Sequence, residues 1–238
     1  MPYPPPGGMY PGPGMAPGWG VRPPPMPRPH GIPSRALFLA GAVGHFIAAG
    51  MAIPFAFFNV STSFLFFGGS FFFSFFSLLL LAIAIVMSVA LFLHLIGLFG
   101  LWKNYGSRLG MAAFIFGLIA TSVYLSSTVY LFLGPRDFSL FLVYLAGWVL
   151  LGVMFIMDGA TFIVNRHFAM PGASIAAGVL FIIAGGFFCS ILLASAGAII
   201  AMPALLIGGI VLAGAPIPMM YAPPPEYAQQ GPPPPFTP

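Results

Sequence analysis

Charge is nearly missing from this chain. Asp, Glu, Lys and Arg make up 4% of its 238 residues, against about a quarter in a typical soluble domain. That scarcity excludes a water-soluble globule, because there is too little polar surface to cover one. Cysteine is almost missing too: Cys189 stands alone, which excludes an intrachain disulfide and a thiolate zinc cluster. No Gly-x-Ser-x-Gly elbow, His-Glu-x-x-His helix or lysine-bearing phosphate loop occurs. No catalytic residue is therefore assigned, and an enzyme is not expected. The seven cations are scattered rather than striped, so the net charge of +4 does not make a nucleic-acid surface.

What remains is apolar. Hydrophobic residues are 60% of the chain and its mean hydropathy is +1.04. Between residues 36 and 215 the charged side chains are Lys103, Arg108, Arg136, Asp137, Asp158 and Arg166. The longest runs between them reach well beyond the roughly 20 residues that cross a bilayer as helix. The fold class is all-α: a polytopic transmembrane helical bundle of about six spans.

Proline is concentrated at the ends. Residues 1–35 hold 13 Pro and residues 216–238 hold 10, leaving Pro54, Pro135, Pro171 and Pro203 between them. Both ends are expected to be disordered tails of polyproline II character, since they can neither form a bonded helix nor bury enough apolar surface. The chain thus divides into a tail over 1–35, a transmembrane domain over 36–215 and a second tail over 216–238. No early apolar core of a signal peptide appears, so the first span is expected to direct insertion itself.

Punctuation sets the spans. Span 1 is expected over 36–58, span 2 within 71–102, span 3 over 109–133 and span 4 over 139–164. The polar run from Lys103 to Arg108 reads as a loop. The block 173–215, at 43 residues, would be about 64 Å long as one helix and must fold back. Ser195-Ala196-Gly197 is the expected turn, giving spans 5 and 6. The block 60–102 is equally long and leaves a seven-span alternative. Gly68-Gly69 and the phenylalanines from Phe64 to Phe76 favour an interfacial or re-entrant stretch before one long span 2.

With six spans and the N-terminus inside, Arg22, Arg28, Arg35, Lys103, Arg108 and Arg166 fall on one side and Arg136 on the other. The positive-inside rule then makes both tails cytoplasmic, in a multi-pass protein of the cell membrane. Small residues recur every four positions at Ala40, Gly44 and Ala48, at Ala113, Gly117 and Thr121, and at Gly186, Ser190, Ala194 and Ala198. Such ridges let helices approach closely in lipid, within one bundle or across a homo-oligomer seam.

Three ionisable side chains interrupt the spans. His45 lies ten residues in from Arg35, His94 nine before Lys103, and Asp158 eight before Arg166. At 1.5 Å per residue all three sit about 12–15 Å from the same boundary. Groups this costly face the interior and find partners. They read as a proton- or ion-coupled site, a metal or haem site using imidazole, or plain structural pairing of Asp158 with Lys103, Arg108 or water. Equal depth is not convergence, and no metal or cofactor is assigned.

The tails carry weaker signals. Pro224-Pro225-Glu226-Tyr227 has the form read by WW-type aromatic grooves. Asn59-Val60-Ser61 matches a glycosylation sequon but abuts span 1, where chance is the better explanation. The partners consistent with this layout are the lipid bilayer, a proline-recognising protein at the tails, and a second copy of the chain. The role expected is that of a non-enzymatic interaction or organising protein, the alternative being a small transporter or channel built on His45, His94 and Asp158.

Overall fold

A computed structural model describes residues 34–67, 73–133, 138–167, 170–190 and 193–217, the side chains of 58–67, 73–77, 138 and 140 excepted. Residues 1–33 and 218–238 lie outside it, and with them Pro224, Pro225 and Tyr227. The described residues form six α-helices and no strand: α1 (Arg35–Phe67), α2 (Phe73–Tyr105), α3 (Arg108–Leu133), α4 (Phe138–Val164), α5 (Pro171–Cys189) and α6 (Ala194–Gly214). Each is long and apolar enough to cross a membrane. The chain is a multi-pass membrane protein with a six-helix bundle.

Each helix packs on its neighbours in sequence, and α6 closes back on α1, so the six form a ring. Pro171 opens α5, where its missing N–H costs nothing. Pro54 and Pro203 lie inside α1 and α6, as membrane helices tolerate when packed among others.

Three expectations are corrected. The Phe-rich stretch is not re-entrant where it is described: α1 runs on through Phe67 and α2 starts at Phe73. Neither Gly nor Pro occurs between Phe55 and Phe67, so nothing there stops the helix. This also removes the seven-span alternative, since 73–105 is one helix. The sequon Asn59–Ser61 falls inside α1.

The Lys103–Arg108 loop shrinks to two residues. Gly106 takes φ 67° and its N–H bonds the Trp102 carbonyl at 2.8 Å, a left-handed glycine cap that ends α2 in one step. Ser107 then caps α3, its Oγ accepting the Gly110 N–H at 3.1 Å, as an N-cap serine does.

The α5–α6 reversal comes earlier than Ser195-Ala196-Gly197: α5 ends at Cys189 and α6 has begun by Ala194. Ser190 Oγ donates to the Phe187 carbonyl at 2.7 Å and accepts the Leu193 N–H at 3.3 Å. The small residues that follow serve packing: a Cβ on Gly197 would stand 3.0 Å from the Ala184 carbonyl oxygen. The ridge from Gly186 to Ala198 is accordingly broken by the turn, and Gly186 faces open space.

The sequence reading missed a glycine seam between α4 and α5. Gly152 meets Gly185 and Gly159 meets Gly178, where added Cβ atoms would lie 2.7 and 2.5 Å from the facing carbonyl oxygens for the first pair. Both helices space these glycines seven residues apart, two full turns, so the signal escapes a search at four.

Candidate functional site

His45, His94 and Asp158 come from α1, α2 and α4, and the structure brings them into direct contact. Asp158 Oδ2 lies 2.8 Å from His94 Nε2. On the other side of that ring, His94 Nδ1 lies 3.0 Å from His45 Nε2 and 3.2 Å from His45 Nδ1. His45 Nδ1 stands 2.8 Å from the carbonyl oxygen of Gly41, one turn earlier on its own helix. All three side chains are 0% exposed. Asp158 pairs with His94, not with Lys103 or Arg108.

Glycine makes the contact. Gly41 faces Gly97, and Gly44 faces the backbone of Leu93 and His94; a Cβ on Gly44 would lie 2.6 Å from the Leu93 Cβ. With no side chain between them, α1 and α2 approach closely enough for two imidazoles to touch, their ring centroids 4.1 Å apart. On α6, Gly208 leaves room for His45, whose Nε2 would be 3.0 Å from a Cβ placed there. Phe162 and Phe181 stand edge-on to His45 at 5.9 and 6.1 Å.

From this layer an aromatic column runs through the ring. Phe162 stacks on Phe181 at 5.6 Å, Phe181 on Phe155 at 5.6 Å, and Phe155 on Phe188 at 5.2 Å. Phe188 meets Trp148, which touches Phe55 and Tyr124. Offset and tilted contacts at these spacings are favourable beyond the area they bury.

The four cations used for topology share one end: Arg35 opens α1, Lys103 is in the last turn of α2, Arg108 opens α3 and Arg166 follows α4. Buried polar groups stitch that end together. Asn104 accepts the Ser34 N–H at 2.8 Å and donates to the Ser34 carbonyl at 3.1 Å. Asn165 donates to Ser107 Oγ at 2.9 Å, and the Tyr105 hydroxyl donates to the Pro216 carbonyl. The sequence showed these residues only as loop polarity.

The hydrogen-bond chain has a fixed direction at its end. A carbonyl oxygen only accepts, so His45 Nδ1 carries the hydrogen toward Gly41 and its free lone pair is on Nε2. With both rings neutral, His94 Nδ1–H donates to it, and one further proton between His94 Nε2 and Asp158 Oδ2 would leave the three side chains with no net charge.

The same geometry answers the metal and haem readings. A metal needs lone pairs converging on one point, whereas His94 turns opposite nitrogens to its two neighbours, Nδ1 to His45 and Nε2 to Asp158. Among the described residues no group of three His, Cys, Asp or Glu is arranged to hold a metal ion. A haem would need the thickness of a macrocycle between the imidazoles, and the glycine-mediated approach of α1 to α2 leaves none. No family model, curated protein or solved structure matches this chain.

Proposed function

We propose that this is a non-enzymatic organising protein of the cell membrane, in which a rigid six-helix bundle anchors two cytoplasmic proline-rich tails that recruit partner proteins. The observation that carries this reading is the filled interior of the ring. The aromatic column occupies the place where a channel would need water, and interlocked glycine seams hold the walls against it. Such a bundle suits anchoring. The tails supply the recruiting chemistry: preformed polyproline II segments bind aromatic grooves at low entropic cost, and Pro224, Pro225 and Tyr227 are the residues proposed to contact one. Cytoplasmic placement rests on the cation bias.

A specific observation favours a second reading. The chain from Asp158 through His94 to His45 is the arrangement a proton- or ion-coupled transporter would use. The two readings separate in one preparation. Purified full-length protein in proteoliposomes is expected to move no protons or ions, while a WW-type domain added outside binds it and loses binding on Tyr227→Ala. Proton flux that disappears in Asp158→Asn would establish the transporter instead, and failure of the tails to bind proline-recognising domains would remove the recruiting role.

A further inference from the structure

The unpaired oxygen in the polar layer carries more than a pairing. Asp158 Oδ1 is buried and has no hydrogen-bond partner. An ionised carboxylate offers two strong acceptor oxygens, and leaving one bare in a dry core is costly; the carbonyl oxygen of a neutral carboxylic acid is a weaker acceptor and costs less to leave bare. Beyond it, His45 Nδ1 must donate to the Gly41 carbonyl, and His94 Nδ1 stands 3.0 Å from His45 Nε2, where a neutral His45 offers its lone pair.

We propose that His45, His94 and Asp158 form a proton-binding site in which a proton on Asp158 Oδ2, donated to His94 Nε2, closes a one-way hydrogen-bond chain that clasps α4 to α2 and α1. The ligand is one proton, and it leaves to or arrives from water as the site opens. Counting shows why occupancy matters to the helices. With three protons every bond in the chain is made and no net charge is buried. Loss of one proton from the Asp158–His94 pair leaves Oδ2 and Nε2 facing each other as two acceptors at 2.8 Å, with a negative charge in the core. Gain of a fourth proton makes an imidazolium: a proton arriving at Oδ1 pushes the Oδ2 proton onto His94 Nε2, and a positive charge is buried. Either change weakens the clasp in an apolar surround.

Among the described residues, the ring and glycine contacts around the triad are with uncharged groups. Facing the triad are Phe162 of α4 itself, Phe181 of α5 and Gly208 of α6. On α3 Gly117 packs against Leu95, next to His94; the titratable groups of that helix nearest Gly117 in sequence are Tyr124, packed in mid-helix against Phe55 and Trp148, and Arg108 at its start. The site is therefore self-contained, and its proton count is set by His45, His94 and Asp158 alone.

This inference concerns where a proton sits, and stands apart from tail binding or flux. The test uses the full chain in lipid nanodiscs. Histidine labelled with nitrogen-15 is expected to show His45 and His94 as neutral rings protonated at Nδ1, assigned by comparison with His45→Gln and His94→Gln. Infrared spectra are expected to show a deuterium-sensitive carboxylic-acid carbonyl band that is missing in Asp158→Asn. That variant keeps the Nδ1–H pattern, because the Asn Nδ2–H donates to His94 Nε2 as the acid did. Melting temperature should fall with rising pH as the acid band disappears in the wild type, and stay flat over the same range in Asp158→Asn. A doubly protonated His94 at neutral pH, a His94 hydrogen on Nε2, or lack of the acid band would overturn the proposal. So would a pH-dependent melting curve in Asp158→Asn equal to that of the wild type.

Discussion

The two halves of the bundle interior are held by different physics. Near the cation end, α1, α2 and α4 meet through directional bonds: Asp158 to His94, His94 to His45, Asn104 to Ser34, Asn165 to Ser107. Toward the other end α1, α3, α4 and α5 meet through volume, in the contacts among Phe55, Tyr124, Trp148 and Phe188. In lipid the distinction matters more than in water, because apolar helices have no solvent to escape and adjacent Leu faces distinguish poorly between registers. Aromatic stacking fills space and adds attraction, whereas a short hydrogen bond between named atoms is lost if one helix slides by a turn. The polar half fixes register and the aromatic half supplies packing.

Removing the largest side chain at the centre of the packed half should have the greatest effect. Trp148 is 1% exposed and touches aromatics on α1, α3, α4 and α5, so Trp148→Ala should destabilise the bundle by about 3–5 kcal/mol. Thermal unfolding in nanodiscs measures the loss. Helix register should survive, read as unchanged disulfide cross-linking between cysteine pairs placed on α1 and α2. A change in the cross-linking pattern would mean that the column, too, sets register.

His94→Leu makes the opposite kind of change. Volume is roughly kept, but His45 Nε2 and Asp158 lose their partner, and each buried group left unpaired costs about 1–3 kcal/mol. Stability should fall by somewhat less than for Trp148→Ala, while the cysteine cross-links between α1 and α2 broaden to neighbouring positions. If the pattern stays sharp, glycine packing alone specifies that interface.

The smallest effect of the three is expected at the α4–α5 seam. Gly185→Ala puts a methyl 2.5 Å from the Gly152 carbonyl oxygen and 2.8 Å from Ile156 Cγ1, forcing the helices apart at about 1–3 kcal/mol. Gly186→Ala, one residue on, meets nothing within 4 Å and should be neutral. Equal melting temperatures for the two variants would show that the seam is not a close contact.

Much of this was legible in advance. Six spans, their ends at Leu133 and Val164, and the shared depth of His45, His94 and Asp158 follow from apolar run lengths and the helical rise. The Lys103–Arg108 segment misled because polarity was read as exposure: Asn104 is buried and bonded to Ser34, and a glycine with φ 67° lets the turn close in two residues. The Ser195–Gly197 turn misled because small residues mark close packing as readily as chain reversal. The α4–α5 seam was hidden by its seven-residue spacing.

The sequence by itself determined that this chain lives in a membrane, that it crosses as helices, and that three ionisable groups lie at one level within it. These follow from composition and from a rise per residue that is the same in every helix. Only the tertiary structure decided that the three groups touch, in what order they bond, and that Asp158 Oδ1 has no partner. Depth is a property of one helix and its spacing, whereas contact depends on how each helix is rotated about its axis. That rotation is set by which glycines face which backbones across α1 and α2, a pairing between segments about 50 residues apart that no single span records.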